Sequence, residues 1–252
     1  MRAGVCSTTL TLGQICNSSM SHPSPAARSW SSTGLDPGPD HKAGVAGQVA
    51  ALVHHNHSNR PQENPVRPLI LRHSLSLDGY SAPPPGVPED FFVEYDNDPE
   101  FVTHMAEVLG SAGVHVMGAQ AYQDMAGHWP FQDGPEADAM NRIPKVVFSR
   151  NPIPTPWATT TVCSGDLAPE IAALKAEEGG PILAHGGVRF AQAFVRADLV
   201  DVYHLLITPV AHGSGSQLFT EFTTLRLVEA RSFPRGNLAL TYTRPDTATR
   251  TP

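Results

Sequence analysis

The sequence predicts an α/β domain with a mainly parallel central sheet, flanking helices and an antiparallel C-terminal hairpin. Apolar runs of strand length alternate with helical patterns from residue 68 onward, which is typical of a parallel sheet. The last two runs, 223–232 and 237–243, alternate in polarity and are joined by Pro234-Arg235-Gly236, as expected of a hairpin. No apolar run approaches the roughly 18 residues that cross a bilayer, so an integral membrane protein is excluded.

The first strand is predicted at 69–75, where apolar residues dominate, and Asp78-Gly79 ends it in a turn. Residues 83–88 are rich in proline and are predicted to form an irregular loop. A helix is then expected from Asp98-Pro99-Glu100 onward, because proline and acidic residues favour a first helical turn. Its apolar positions recur at helical spacing as far as Leu109.

The remaining elements follow the same two periods. Short apolar runs predict strands at 114–118, 145–149, 159–163, 181–185 and 201–210. Helical spacing predicts helices at 119–125, from Leu167 to the Gly179-Gly180 stop, and from Val188 to Val195.

Composition places a boundary near residue 65. Residues 1–65 are rich in Ser, Pro and Gly, have few charged residues and show no sustained period, so they are predicted to be a disordered, low-complexity extension of a domain at 66–252. A targeting peptide is one alternative. Translation starting at Val66 is a second, which N-terminal sequencing of the native protein would test.

Charge and cysteine content exclude several classes of protein. A net charge of −7 disfavours non-specific nucleic-acid binding, and three scattered cysteines form neither a disulfide framework nor a zinc motif. His54, His55 and His57 could hold a metal, but without a neighbouring carboxylate or thiolate we interpret them as a solvated patch and predict no metal site. A soluble, cytoplasmic protein is expected.

Glycines at two predicted strand–helix junctions mark the candidate ligand site. Gly118 and Gly186-Gly187 each stand where a strand ends and a helix begins. Such a junction offers unpaired N–H groups to a phosphate, although a tight packing turn requires the same residues. From spacing alone the two interpretations are equal. The sequence contains no P-loop, zinc-deaminase or nucleophile-elbow motif.

Four segments carry a family resemblance, and they are Ser76-Leu77-Asp78-Gly79, 116–122, 143–150 and Ile182-Leu183-Ala184-His185-Gly186-Gly187. In their order and spacing they resemble the dihydrofolate-reductase-like family, in the branch of the reductase domain of the riboflavin-pathway deaminase-reductase and its stand-alone relatives. The strand at 205–210 and the glycine loop after it fit the same branch. The resemblance covers about residues 68–244.

The resemblance implies an NADPH-dependent reductase, similar to 5-amino-6-(5-phosphoribosylamino)uracil reductase, that transfers a hydride to a pyrimidine- or pteridine-like ring. It also implies a homodimer. Carried over by position, the cofactor-binding residues are Gly118, Gln120, Tyr122, Ser149, Arg150, Leu183, Gly186, Gly187 and Val188. A non-catalytic nucleotide-binding relative is the alternative. It is favoured by Ala119-Gln120, which stand where the family often has an arginine that contacts phosphate.

Asp78 is the candidate catalytic residue, because it follows the first strand near the expected substrate position. A simple turn residue, completed by Gly79, is an equal interpretation. Histidine 185 could orient a substrate or pack at the strand end. Arg150 suits the cofactor's 2′-phosphate, because a guanidinium can donate two hydrogen bonds to one phosphate.

Deletion of residues 1–65 is expected to leave the thermal midpoint of unfolding unchanged, because this segment has no periodic apolar face to dock on the domain. Paired melting curves of the full-length and truncated proteins measure this. A drop of many degrees in the truncated protein would show that the predicted boundary is wrong.

Overall fold

The computed structural model describes residues 66–84, 86 and 97–245. The strands are β1 (Leu69–Ser76), β2 (Tyr80–Ala82), β3 (Val114–Gly118), β4 (Lys145–Phe148), β5 (Thr160–Cys163), β6 (Ile182–Ala184), β7 (Val202–Thr208), β8 (Ser216–Gln217), β9 (Arg226–Ser232) and β10 (Leu238–Thr243). The helices are α1 (Pro99–Gly110), α2 (Ala119–Ala126), α3 (Pro135–Arg142), α4 (Leu167–Ala176) and α5 (Val188–Arg196), with a 3₁₀ turn at Trp129–Phe131. The predicted disordered extension, with His54, His55 and His57, lies outside these residues.

One eight-stranded sheet organises the described part of the chain, in the order β5-β4-β3-β6-β1-β7-β10-β9. The six strands from β5 to β7 run parallel, whereas β10 is antiparallel to both β7 and β9. This confirms the predicted α/β class, with its mainly parallel sheet and antiparallel C-terminal hairpin. None of the helices described here is both long and apolar enough to cross a membrane.

Helices cover both faces of the sheet, and side chains alternate between the two resulting cores. Ile70 and Leu183 pack with α1, α2 and α3, whereas Leu71 and Ala184 pack with α4 and α5. Both faces of the parallel strands are therefore buried, which explains why these strands read as continuous apolar runs.

The sequence analysis missed two features, the helix α3 and the small sheet formed by β2 and β8. Helix α3 has only eight residues and a weak apolar period, although Pro135 followed by Glu136 is a recognisable first turn. Strands β2 and β8 pair over two to three residues, too short for an alternating pattern to show.

Five histidines are buried in the domain, which is unusual for a residue that titrates near neutral pH. They come from β1, α1, β3, the end of β6 and β7, and are His73, His104, His115, His185 and His204. Nε2 of His185 lies 2.8 Å from Nδ1 of His115, and the Nε2 atoms of His104 and His204 are 3.3 Å apart. His73 contacts the hydroxyl of Ser81 through its Nε2. Hydrogen bonding between neutral imidazoles thus replaces part of their lost hydration.

Burial keeps these imidazoles neutral in the folded protein. It is the main cause that lowers the pKa of His73 and His104 to about 4, and of His115 and His204 to about 3. Burial likewise lowers the pKa of His185 well below its ordinary value. The positive charge of Arg72 acts in the same direction on all five.

The free energy of unfolding is expected to be fully present above about pH 6.5 and to fall steeply as the pH drops toward about 4, because only the unfolded chain binds protons at these histidines in that range. Each such histidine contributes about 1.4 kcal/mol per pH unit. Urea unfolding at a series of pH values measures the slope, and His104→Asn should reduce it. A free energy that stays constant across this range would contradict the account.

Candidate functional site

The carboxyl ends of β4, β3, β6 and β1 lie side by side along one edge of the sheet. From β3 the chain moves outward to its neighbour β4, whereas from β6 it passes β1 to reach β7. The connections therefore leave the adjacent pair β3 and β6 in opposite directions. In open α/β sheets a crevice at such a point is the usual ligand site.

Two helices begin at this crevice with glycine as the residue before the first turn. Gly118 precedes α2 and Gly187 precedes α5, and no side chain of the described residues caps either helix. The first N–H groups of a helix have no partner within it, and they carry a partial positive charge. Two such ends on neighbouring strands suit an anion with several oxygen atoms, such as a diphosphate.

The three glycines at the crevice differ in the space available for a side chain. A Cβ at Gly118 would make an ordinary contact with Phe190, 3.4 Å from its Cγ, whereas one at Gly186 would be crowded, 3.0 Å from Cδ1 of the same ring. At Gly187, by contrast, an added Cβ would meet no heavy atom within 4 Å, and the backbone has an ordinary extended conformation. The open space at Gly187 fits the approach of a ligand, not a tight packing turn.

Ser149 and Arg150 follow β4 at the same edge. The Ser149 hydroxyl donates a hydrogen bond to the carbonyl of Asn151 at 2.7 Å, so it is already engaged in the turn. The exposed side chain of Arg150 makes no hydrogen bond or ion pair within the described parts of the chain. Arg150 thus offers an uncommitted guanidinium one strand away from Gly118.

The other predicted cofactor residues fall into two groups. Gln120 is exposed on α2, where its amide donates to Asp124 at 3.0 Å, and Val188 is partly exposed at the start of α5. Tyr122 and Leu183 are fully buried. The hydroxyl of Tyr122 accepts a hydrogen bond from the N–H of Trp157 at 3.2 Å, so this side chain belongs to the core.

Asp78 fastens two loops together at the end of β1. Its Oδ1 accepts hydrogen bonds from the Ser76 hydroxyl at 2.6 Å and the His212 N–H at 3.0 Å, and its Oδ2 accepts one from the Gly213 N–H at 2.7 Å. These bonds, that from Ser76 foremost, lower the pKa of Asp78 to about 2. An ionised carboxylate is a poor proton donor at neutral pH. The geometry favours the interpretation of Asp78 as a turn residue.

Sequence reasoning missed a buried cluster beside β4. Lys145 is fully buried, and burial lowers the pKa of its ammonium group to about 8. Trp157, which is 3% exposed, lies next to it. Neither residue stands in a motif, and a lysine in an apolar strand was the only available signal. No group of three potential metal ligands occurs in the described ranges.

Comparison of the sequence with models of protein families gives a match to the RibD C-terminal domain over residues 67–239. No curated protein matches the chain.

Solved structures share the fold at low sequence identity. A pyrimidine reductase-like protein from Corynebacterium diphtheriae aligns with a TM-score of 0.52 and 16% identity, covering 73% of this chain and 93% of that one. A diaminohydroxyphosphoribosylaminopyrimidine deaminase/5-amino-6-(5-phosphoribosylamino)uracil reductase from Thermotoga maritima aligns at 0.51 and 13%, covering 71% and 57%. A protein from Shewanella sp. PV-4 named for riboflavin biosynthesis aligns at 0.49 and 22%, covering 71% and 99%.

Replacement of Asp78 by asparagine should release the loop after β7, because an amide has one acceptor oxygen and turns an N–H donor toward a second donor. Hydrogen exchange at the amides of His212 and Gly213 is expected to accelerate. Asp166→Asn is the matched control, since Asp166 is exposed and its side chain makes no cap hydrogen bond with α4. Unchanged exchange in Asp78→Asn would show that the carboxylate does not hold the loop.

Proposed function

The chain belongs to the family of the RibD C-terminal domain, and we propose that it is an NADPH-dependent reductase acting on a pyrimidine- or pteridine-like ring. The observation that carries the proposal is the pair of glycine-capped helix ends at Gly118 and Gly187, with the uncommitted Arg150 one strand away. Membership in the family supports a reductase-type activity. The names of the Corynebacterium and Thermotoga proteins support a pyrimidine-type substrate.

The order of these groups along the sheet edge matches the order of groups in the cofactor. Strands β4, β3, β6 and β1 are neighbours, and at about 4.8 Å per strand they span about 14 Å. Arg150 at β4 would hold the 2′-phosphate, and the helix ends at β3 and β6 would hold the diphosphate. The nicotinamide would then lie toward β1.

When bound, NADPH supplies the hydride, so this chain need only hold, orient and shield the reacting rings. The N–H groups at the start of α2 and α5 would bind the diphosphate through the partial positive charge of the helix ends. Asp78 would act by holding the loop after β7 at the β1 end of the crevice, as its bonds to His212 and Gly213 indicate. Tyr122 and Leu183 would support the site from within the core.

A non-catalytic nucleotide-binding protein is the second candidate, and two observations favour it. Ala119 and Gln120, which follow Gly118, carry no positive charge, and the carboxylate of Asp78 is ionised and held by three hydrogen bonds within the protein. Loss of NADPH absorbance with a panel of aminouracils and pteridines tests the choice. Oxidation of NADPH with any member supports the reductase, whereas tight binding without turnover across the panel supports the second candidate.

Gly187→Val should abolish detectable binding of both NADPH and NADH, because a side chain would separate the shared diphosphate from the N–H groups of α5. The open space around Gly187 predicts that the variant folds normally. Calorimetric titration of a variant shown to melt cooperatively measures the loss.

Gly110→Val is the matched control for this change. Gly110 is the exposed last residue of α1 and also has nothing within 4 Å of an added Cβ. Gly236 in the hairpin is unsuitable, since its φ is +95° and a Cβ would lie 3.2 Å from Pro209. Normal affinity for both dinucleotides in a folded Gly187→Val protein would place the diphosphate elsewhere.

Arg150→Ala is expected to weaken NADPH binding and to spare NADH, because only NADPH carries the 2′-phosphate. Loss of a charge-assisted hydrogen bond corresponds to about 1.5–3 kcal/mol, or about 10- to 150-fold in dissociation constant. Parallel titrations with the two dinucleotides measure the difference. Equal losses would remove Arg150 from the site.

A further inference from the structure

The connection between β4 and β5, residues 149–159, begins with the residues proposed to read the 2′-phosphate. After Ser149 and Arg150 it has proline at every second position, at 152, 154 and 156. Alternating prolines restrict a chain to extended conformations, so this stretch is a semi-rigid spacer and not a flexible loop. The position of Arg150 therefore depends on where the spacer is attached. The role inferred for this spacer rests on the proposed function.

Two attachments hold the spacer at its start and in its middle. The N–H of Ser149 donates to the carbonyl of Cys163 on β5 at 2.9 Å. Ile153 is partly buried against the core on the α1–α3 face of the sheet. Arg150 lies between these two points in the sequence, and its guanidinium makes no hydrogen bond or ion pair within the described residues.

The far end of the spacer is anchored by Trp157. Its indole N–H donates to Oδ1 of Asn141 at 2.8 Å, and its backbone N–H donates to the hydroxyl of Tyr122 at 3.2 Å. The rings of Trp157 and Tyr122 are stacked, with centroids 6.0 Å apart. Two helices, α2 and α3, thus hold one indole in a single orientation.

Lys145 also holds the far end of the spacer, around Trp157. Its ammonium group donates to the carbonyls of Asn141 at 3.0 Å and Ala158 at 3.3 Å and to the hydroxyl of Thr159 at 3.2 Å, and it lies 4.5 Å from the centre of the Trp157 ring. Three donors meet three acceptors, so only the ammonium form satisfies all of them.

Lys145 is a buried cation whose position is not accounted for by an ion pair. No acidic side chain of the described residues pairs with it, and a buried cation without a counter-ion is costly. The hydrogen bonds of its ammonium group hold the far end of the spacer in place. Thr159 has a φ of +59°, which a β-branched residue rarely adopts, and its carbonyl accepts a hydrogen bond from the N–H of Lys145 at 2.8 Å.

We infer that Lys145, Trp157 and Tyr122 are positioning residues that hold Arg150 at the carboxyl end of β4 and thereby set the preference for a 2′-phosphorylated dinucleotide. They touch neither cofactor nor substrate. Because the proline spacer is semi-rigid, fixing Trp157 at its far end also restricts the position of Arg150 at the end of β4. This gives the buried Tyr122 an indirect role in cofactor recognition.

Lys145→Met tests the inference in a double-mutant cycle with Arg150→Ala. Methionine is unbranched like the lysine chain and one atom shorter, so it fills most of the same space and removes the three donors. NADPH affinity should fall by between about twofold and thirtyfold, the range typical of remote coupling, while NADH affinity changes less than about twofold. In the Arg150→Ala background, Lys145→Met should cause no further loss of NADPH affinity, because the group it positions is gone.

Lys175→Met is the matched control. Lys175 is also a partly buried lysine that donates to a carbonyl, that of Leu199 at 3.1 Å. Like Lys145 it lies near the N-terminal edge of the sheet, but its partner Asp201 contacts the start of β1 and not the spacer. This variant should leave the preference for NADPH over NADH unchanged. Circular dichroism and a cooperative melt establish folding. If Lys145→Met does not fold, Tyr122→Phe, which keeps the ring stack and loses only the hydroxyl, must meet the same criteria.

Two results would overturn the inference while leaving the proposed function intact. One is an equal loss of NADPH and NADH affinity in a folded variant. The other is a further loss of NADPH affinity in the Arg150→Ala background, which would mean that Lys145 acts on the site by another route. Failure of the wild-type protein to bind either dinucleotide would remove the proposed function and this inference with it.

Discussion

The parallel pairing of β3 with β6 determines where the candidate ligand crevice lies. Because the chain leaves these two neighbours in opposite directions, helices α2 and α5 begin side by side at the same edge. Phe190, in the first turn of α5, approaches both Gly118 and Gly186 and is packed against Phe148 and Phe194. One aromatic ring thus ties together the ends of three adjacent strands, and the two helix ends keep a common orientation.

The glycines around this crevice differ in the space available for a side chain. A Cβ at Gly186 would lie 3.0 Å from Phe190, whereas one at Gly118 would make an ordinary contact and one at Gly187 would meet no heavy atom within 4 Å. Packing therefore accounts for Gly186 alone, and the open space at Gly187 is what the proposed binding of a diphosphate requires. Polar side chains differ in a similar way, because Asp78 accepts three hydrogen bonds within the protein, whereas Arg150 makes no hydrogen bond or ion pair within the described residues.

Local periodicity was sufficient to predict the parallel sheet and its C-terminal hairpin, because each buried strand and each amphipathic helix carries its own pattern. It failed for α3 and for the β2–β8 pair, which are too short to show one. The candidate glycines could be predicted, since a strand–glycine–helix junction is formed by consecutive residues and shows as a local sequence pattern. The burial of Tyr122 and the anchor formed by Lys145 and Trp157 could not, because they depend on contacts between segments distant in sequence.

The position of a bound dinucleotide along the sheet edge is the most direct test of the proposed site, and a crystal structure with NADPH measures it. We predict the 2′-phosphate beside Arg150, the diphosphate against the N–H groups that follow Gly118 and Gly187, and the nicotinamide toward β1. A diphosphate bound away from both helix ends, or a dinucleotide running in the reverse direction with its adenosine at β1, would contradict the account.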